Sequence, residues 1–288
     1  VGSDKWTRYP GCIGAFIAEM DYGLAPCIQE AIDNACDHCK LGYIPEPWKQ
    51  RVAAACAGWQ RSHYGWDVDP SIIRVVPDVL EAYELFLREL VGAGNSVIVP
   101  TPAYMPFLSV PKLYDVDVIE IEMLQSGDAE TGEAQWVFDF DAIERAFAAG
   151  CHAFVLCNPH NPIGKVLTLE EELRLSDLAA QYDVRIFNDE IHAPFVFEGK
   201  HIPFPTISEQ AALQSMTATS ASKSFNIPGT KCAQVLLTNP ADRDMWAVKA
   251  EWSEHQTATI GAIATTTAYN EGDLWFQDAF AYVRRNLA

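Results

Sequence analysis

The chain has 288 residues, 49% of them apolar, with 39 acidic against 20 basic side chains and a formal net charge of −19. That length and apolar content suffice for a sizeable core and exclude a disordered polymer. The acidic excess repels phosphate backbones and anionic lipid, so nucleic acid and membrane surfaces are excluded as partners.

The opening VGSDKWTRYP resembles neither an apolar signal peptide nor a basic transit peptide. No apolar run is long enough to span a bilayer, and a cytoplasmic location is expected. PCIQEAIDNACDHCKLG (26–42) places apolar residues at 28, 32, 35 and 39, which predicts a helix closed by Gly42. Within it, CDHC (36–39) has a metal-like spacing but no second pair at zinc spacing, so core packing of Cys36 and Cys39 is expected and no metal site. The eight cysteines are not a disulfide framework in a chain of this length; most lie in apolar segments, as buried free thiols do.

WKQRVAAACAGWQRSHYG (48–65) repeats the helical spacing at 48, 52, 55 and 59. Residues 79–91 predict a further helix with Val79, Tyr83, Phe86 and Leu90 on one face. The period then shortens. Strands are expected at 96–100, 116–123, 153–157, 184–187, 215–219 and 233–237. Between them, TLEEELRLSDLAAQYD (168–183) reads as a helix that Thr168 and Glu171 open with a capping box. Strands alternating with helices predict an α/β fold with a mainly parallel sheet. Such sheets bind ligands beyond the carboxyl ends of their strands.

Chemistry-bearing residues fall at those ends. TPAY brings Tyr104 after the strand at 96–100, and NPHNPIG brings Asn161 after 153–157. NDEIH follows 184–187 and places Asp189 at the end of a buried strand, where a carboxylate is costly unless it meets a cation or donors; His192 follows it. SASKSFNIPG follows 215–219 and holds Lys223 among small and apolar neighbours, with no acid beside it. At VPDVL (76–80) the start of a helix offers free amides to an anion. Each feature has a plainer reading, as a stiff turn, a helix cap or a wall histidine. Together they suit a cofactor that is an aldehyde, a basic pyridine, a phenolate and a phosphate. That description fits pyridoxal 5'-phosphate, whose aldehyde takes a lysine and whose ring nitrogen takes a carboxylate.

NPHNPIG, NDEIH and SASKSFNIPG, in that order, resemble the fold-type I pyridoxal-phosphate (PLP) enzymes of the class I/II aminotransferase superfamily. AFIAEMDYGLAPCIQEAI, GYIPEP, TPAY and DEIH followed by SKSFNIPG are similar to the PatB/MalY branch of cystathionine and cysteine-S-conjugate β-lyases, from residue 5 to residue 288. The resemblance implies the large PLP-binding domain of that fold, a mainly parallel seven-stranded sheet flanked by helices. It implies Lys223 as the lysine bonded to the cofactor, Asp189 as partner of the pyridine nitrogen, Asn161 and His192 near the phenolic oxygen, and Tyr104 stacked on the ring. The amides of Val79 and Leu80, the hydroxyls of Ser220 and Ser222, and Lys231 are the implied phosphate cradle, with the Asp78 side chain expected to turn away from it. Tyr43 matches a residue that reaches the neighbouring subunit's phosphate, which implies a homodimer.

By the same resemblance, residues 1–40 form an N-terminal segment packing on the small-domain side, 41–272 the large domain, and 273–288 the start of an interdomain helix. Leu274, Trp275 and Tyr282 are expected among that helix's apolar positions. Family members continue into a small C-terminal α/β domain of about a hundred residues, which carries the arginine for the substrate carboxylate, so a longer parent reading frame is expected. The implied activity is β-cleavage of L-cystathionine or a related L-cysteine S-conjugate. An aminotransferase shares the cofactor residues and remains an alternative, as does a regulatory protein that keeps the fold without catalysis.

Overall fold

The computed structural model describes residues 2–127 and 135–287. A short N-terminal helix, α1 (Asp4–Thr7), is followed by α2 (Pro26–Asp37) and α3 (Glu46–Tyr64). Gly65, at φ +73°, closes α3 in the left-handed region that glycine adopts at least cost. Strand β1 (Ile73–Val76) leads into α4 (Val79–Phe86), then come β2 (Ser96–Thr101), α5 (Met105–Ser109) and β3 (Asp117–Glu122). A small pair, β4 (Leu124–Ser126) and β5 (Gln135–Val137), stands apart from the main sheet. The chain continues through α6 (Phe140–Ala148), β6 (Ala153–Cys157), α7 (Leu169–Gln181), β7 (Arg185–Asp189), α8 (Glu209–Gln214), β8 (Ser215–Thr219), α9 (Ala221–Ser224) and β9 (Ala233–Leu236). Helices α10 (Pro240–Lys249), α11 (Glu251–His255), α12 (Thr259–Glu271) and α13 (Asp273–Asn286) complete the described chain.

Seven strands form one sheet in the order β1-β9-β8-β7-β6-β2-β3. β3, β2, β6, β7 and β8 run parallel, β9 is antiparallel to β8, and β1 pairs antiparallel with β9. Alternate residues of each central strand face opposite layers. Val97, Val99, Val155, Cys157 and Phe187 pack with Tyr83, Phe86 and Phe107 on one side; Ile98, Phe154, Leu156 and Ile186 pack with Phe147 and Leu175 on the other. Burial on both faces is why these strands read as unbroken apolar runs. Each of the six expected strands is present, and the capping box at Thr168 forms with both of its hydrogen bonds.

The chain departs from its sequence pattern at several places. Strand β1 was not anticipated: its four residues are too short to show a period beside the adjoining helix signals. Cys36 and Cys39 are both exposed, because α2 ends at Asp37 and Cys39 lies beyond it at φ +54°, so neither packs in the core. Cys12 is exposed and Cys27 half-buried, and four thiols, of Cys56, Cys151, Cys157 and Cys232, are buried. On α13 the inward face is carried by Phe276 and Ala279 with Trp275 and Phe280 beside them, whereas Leu274 and Tyr282 face outward. Among the described residues no helix is long and apolar enough to cross a membrane.

The β2–β6 boundary is the switch point of the sheet, since the chain leaves β2 for β3 on one side and returns to β6 on the other. Helix α12 braces the turn between α9 and β9 from below. A Cβ on Gly261 would stand 2.1 Å from the Thr230 carbonyl oxygen and 3.0 Å from the Cys232 Cβ, so backbone must move to admit it. Gly261→Ala is therefore expected to destabilise the protein by about 1–3 kcal/mol. Gly58→Ala, in the interior of α3 with open space around its Cβ, is expected to stabilise by about 0.5–1 kcal/mol. Denaturant unfolding of the two variants checks both signs; a neutral Gly261→Ala would refute the close approach.

Candidate active site

The carboxyl ends of the parallel strands open into one cavity of about 940 Å³. Tyr104 reaches it from the loop after β2, Asn161 from the loop after β6, Asp189 and His192 from the end of β7, and Lys223 from α9, which follows β8. The start of α4 contributes Val79 and Leu80, and Ser220, Ser222 and Lys231 line the same space. Ten of the eleven residues singled out in the sequence thus line a single space. The eleventh, Tyr43, lines no part of it: the ring is 84% exposed and stacks on His255 at 5.0 Å.

Lys223 sits on a helix of a single turn. Ser220 caps that turn, its hydroxyl accepting from the Ser222 N–H at 3.1 Å and donating to the Cys232 carbonyl at 2.9 Å. Ser220 is therefore a clamp on the lysine turn. Burial draws the Lys223 ammonium below its ordinary pKa, while Asp189 and then Glu19 oppose the drop. More of the amine is consequently neutral than in a solvated lysine.

Asp189 is 4% exposed. One carboxylate oxygen accepts from the Ile191 N–H at 3.0 Å. Burial pushes its pKa from 3.8 up to about 7 and Glu190 adds to the rise; the Ile191 N–H and Lys223 pull it down. His192 is driven down to about 4, first by burial and then by Lys223, so its imidazole is neutral near pH 7. The Tyr104 phenol is raised by burial, then by Asp189 and Asp78. Its ring meets Phe107 edge-on at 5.6 Å.

The anion end of the cavity is organised by Asp78. Its carboxylate caps α4 by accepting from the Glu81 N–H at 2.9 Å and pairs with the Lys231 ammonium at 2.6 Å. The expectation that Asp78 turns away is therefore wrong, and the reason is physical. A helix start has four unsatisfied N–H groups, and Asp78 occupies the one at Glu81, leaving those of Val79 and Leu80 for a ligand. Lys231, held at φ +56°, returns a positive charge to the same end.

Sequence reasoning missed the groups that hold these loops. The Asn226 amide brackets Met20, accepting from its N–H and donating to its carbonyl, both at 2.9 Å. That bracket seats the N-terminal strap beside the lysine turn, and Phe16, Ile17 and Ala18 of the strap become a wall of the cavity. Lys5 holds the strap from its other side, donating to the Glu19 carbonyl and to Asp21, each at 2.8 Å. The His160 ring contacts the Pro102 carbonyl at 2.9 Å and so ties the Asn161 loop to the Tyr104 loop. Buried Asn158 donates to Glu172 at 2.6 Å and accepts from the Leu167 N–H at 3.1 Å. Asn158, His160 and Asn226 all lie inside the quoted motifs, but their partners are 9 to 206 residues away, and no local pattern names them.

A cofactor with an aldehyde, a basic ring and a phosphate fits this donor set. An amine of lowered pKa stands near a buried carboxyl that lacks a full counter-charge, and two free helix amides and a lysine wait at the far end.

The known proteins this chain is similar to include both carbon–sulfur lyases and aminotransferases. The family model described as aminotransferase class I and II matches residues 19–279. A cystathionine beta-lyase of Corynebacterium glutamicum is 35% identical over 283 residues, covering 98% of this chain and 73% of that protein. The cystathionine beta-lyase PatB of Bacillus subtilis (strain 168) is 28% identical over 296 residues, covering 99% and 74%. Among solved structures, a provisionally named PLP-dependent beta-cystathionase of Corynebacterium diphtheriae superposes with a TM-score of 0.90 at 34% identity, over 99% of this chain and 72% of that one.

The raised pKa of Asp189 has a stability consequence in the cofactor-free protein. Its folded value lies above its unfolded one, so its contribution is fully present below pH 3.8 and is lost as pH rises through about 7. The loss is at most about 4 kcal/mol. Cofactor-free Asp189→Asn is expected to escape it, so its stability relative to the original protein should grow between pH 4 and pH 8. Denaturant unfolding of both at the two pH values measures this; a constant difference would contradict the burial account.

Proposed function

The chain belongs to the class I and II aminotransferase family, and from that premise we propose that it is a PLP-dependent carbon–sulfur β-lyase. The substrate class is an L-cysteine thioether, with L-cystathionine as the leading member. The reaction converts the thioether and water to a thiol, pyruvate and ammonia. The observation that carries this reading is that Lys223 and Asp189 line one cavity at the carboxyl ends of β8 and β7, in a chain similar along nearly its whole length to cystathionine β-lyases.

When bound, pyridoxal 5'-phosphate supplies an aldehyde that takes up amines and a ring that accepts the electrons released at Cα of an amino acid. Lys223 is assigned as the residue that would bond the cofactor and would take the Cα proton of the substrate on Nζ. Its lowered pKa suits it to both tasks. Asp189 is assigned to the pyridine nitrogen: a cation placed against its carboxyl favours the ionised form that burial alone opposes. Asn161 and neutral His192 are assigned to the phenolic side, and Tyr104 to the ring face. The N–H groups of Val79 and Leu80, the hydroxyl of Ser222 and the Lys231 ammonium are assigned to the phosphate, with Ser220 holding the turn that presents Ser222. Lys231 would then share its single charge between the phosphate and Asp78, and the Val79 and Leu80 N–H groups would carry the rest of the anion's solvation.

Two copies of the chain are proposed to share their sites. A tyrosine as exposed as Tyr43, stacked on His255 and absent from its own cavity, is suited to reach a neighbour's phosphate. The family description also admits aminotransferase chemistry, and the assay below separates the two.

Borohydride reduction of the cofactor-loaded protein followed by peptide mapping is expected to place the label on Lys223. Pyruvate is expected to accumulate from L-cystathionine without an added 2-oxo acid. Lys223→Ala should abolish the label, and Asp189→Asn should keep the label and lower pyruvate release by at least about a hundredfold. A label on Lys231 or Lys165, or turnover only in the presence of a 2-oxo acid, would reject the assignment.

A further inference from the structure

Resting on the lyase reading, we infer that Glu190 is a positioning residue: its carboxylate, on the face of the sheet away from the cavity, holds Asp189 and His192 in place against the cofactor. Asp189 and Glu190 are consecutive at the end of β7 and are 4% and 1% exposed. Asp189 lines the cavity and Glu190 does not. Alternation along the strand turns Glu190 toward the layer that holds Ile186 and Phe154. Phe204, to which it bonds, belongs to the same layer.

One oxygen of this carboxylate gathers three parts of the chain. Glu190 Oε1 accepts from the Phe204 N–H and from the Asn188 side-chain amide, both at 2.8 Å. The same amide nitrogen donates to the Thr217 hydroxyl of β8 at 3.1 Å. The second oxygen stands 3.3 Å from Nε2 of His201, whose side chain is fully buried. The bond to Phe204 closes residues 190–204 into a loop whose outer end, 198–200, is exposed. In PFP (203–205) Phe204 has the single N–H, since proline has none, so neither neighbour can replace it. His192 stands two residues inside this loop. Between it and Glu190 lies Ile191, whose N–H holds the Asp189 carboxylate at 3.0 Å. The Glu190 main chain completes the frame, donating to the Ala218 carbonyl at 2.9 Å and accepting from the Ala193 N–H at 3.0 Å. Because Thr217 lies on the strand that leads to the Lys223 turn, the same carboxylate also bears on the spacing between Asp189 and Lys223.

An ordinary packing residue would avoid the costs of this position. A carboxylate so deep loses its water, and beside Asp189 it adds to the rise of that carboxyl's pKa. An apolar side chain would remove both costs. It would also leave the Phe204 N–H and the Asn188 amide without their shared acceptor, and the loop unclosed. What these contacts require at 190 is an oxygen at the end of a two-methylene arm. The charge that comes with it works against Asp189, so reach and not charge is the property that the site uses.

The test uses the cofactor-loaded protein and separates reach from charge. Glu190→Gln keeps the length of the arm and an accepting oxygen; Glu190→Asp keeps the charge and shortens the arm by one methylene. Pyruvate release from L-cystathionine gives kcat and KM, and the visible circular dichroism of the bound cofactor reads its seating in the site. Glu190→Asp is expected to lower kcat at least about tenfold, to leave KM within about threefold and to change the dichroism. Glu190→Gln should keep kcat within about threefold and retain the original dichroism. Asp242→Asn breaks the buried pair of Arg185 and Asp242 at the other end of β7 and is the control for lost stability alone. It should lower the unfolding midpoint and leave kcat and the dichroism as they were. A Glu190→Gln protein as impaired as Glu190→Asp, a Glu190→Asp protein as active as the original, or an Asp242→Asn protein that loses kcat to the same degree overturns the inference. The dichroism is scored separately from turnover. No pyruvate from any form, with the dichroism changed by Glu190→Asp and kept by Glu190→Gln, rejects the lyase reading and leaves Glu190 in place; pyruvate release without that contrast does the reverse.

Discussion

The carboxyl of Asp189 stands at the end of a strand that is buried on both faces, and its neighbour in sequence, Glu190, is a second buried acid. Water is the natural solvent of a carboxylate, and this position removes it. One backbone N–H and a half-buried lysine replace only part of that solvation. The fold around the cleft is arranged about that deficit. Lys223 is placed where its charge helps, yet it is itself drawn toward neutrality by burial, so each group leaves the other incompletely satisfied. A protonated ring nitrogen bound beside Asp189 would supply the counter-charge that this carboxyl lacks. The apo cleft is in this sense less stable than its parts require, and the difference is available to hold the cofactor.

The opposite end of the cleft shows the converse arrangement. There the charges are satisfied before any ligand arrives. Asp78 caps α4 and at the same time neutralises Lys231. An isolated lysine beside two free amides would attract any small anion; one held by Asp78 exchanges partners only for an anion that also engages the Val79 and Leu80 amides. The Asp78 end is therefore suited to select an anion by geometry, and the Asp189 end a cation by charge.

Much of this was legible in the sequence. Each of the six expected strands is present, because strands buried on both faces write themselves as continuous apolar runs. Lys223, Asp189, Asn161 and Tyr104 were locatable because the ends of parallel strands are where ligands bind. Strand β1 was hidden by its length, the exposure of Cys36 and Cys39 by the early end of α2, and the outward turn of Leu274 and Tyr282 by a helix whose apolar residues occupy more than one face. Asp78 was misjudged because charge alone argued against it, whereas its role is set by the one N–H it satisfies. The loop anchors His160, Asn158 and Asn226 were illegible for a different reason: each is defined by a partner distant in sequence, and such pairings exist only after the fold does.

The bracket between Asn226 and Met20 also has a consequence for the order of assembly. Its two members are separated by 206 residues, among the longest loop closures a chain of this size can make. Closing so long a loop costs conformational entropy before any contact rewards it. During synthesis the strap leaves the ribosome first and finds its partner only after β8 and the lysine turn have emerged. Until then Phe16 and its neighbours are unsheltered, and the sheet can form without them. A nascent chain that pauses before residue 226 holds the parallel strands β2, β3, β6, β7 and β8 but lacks β9 and the bracket that seats the strap, so its cleft stays open.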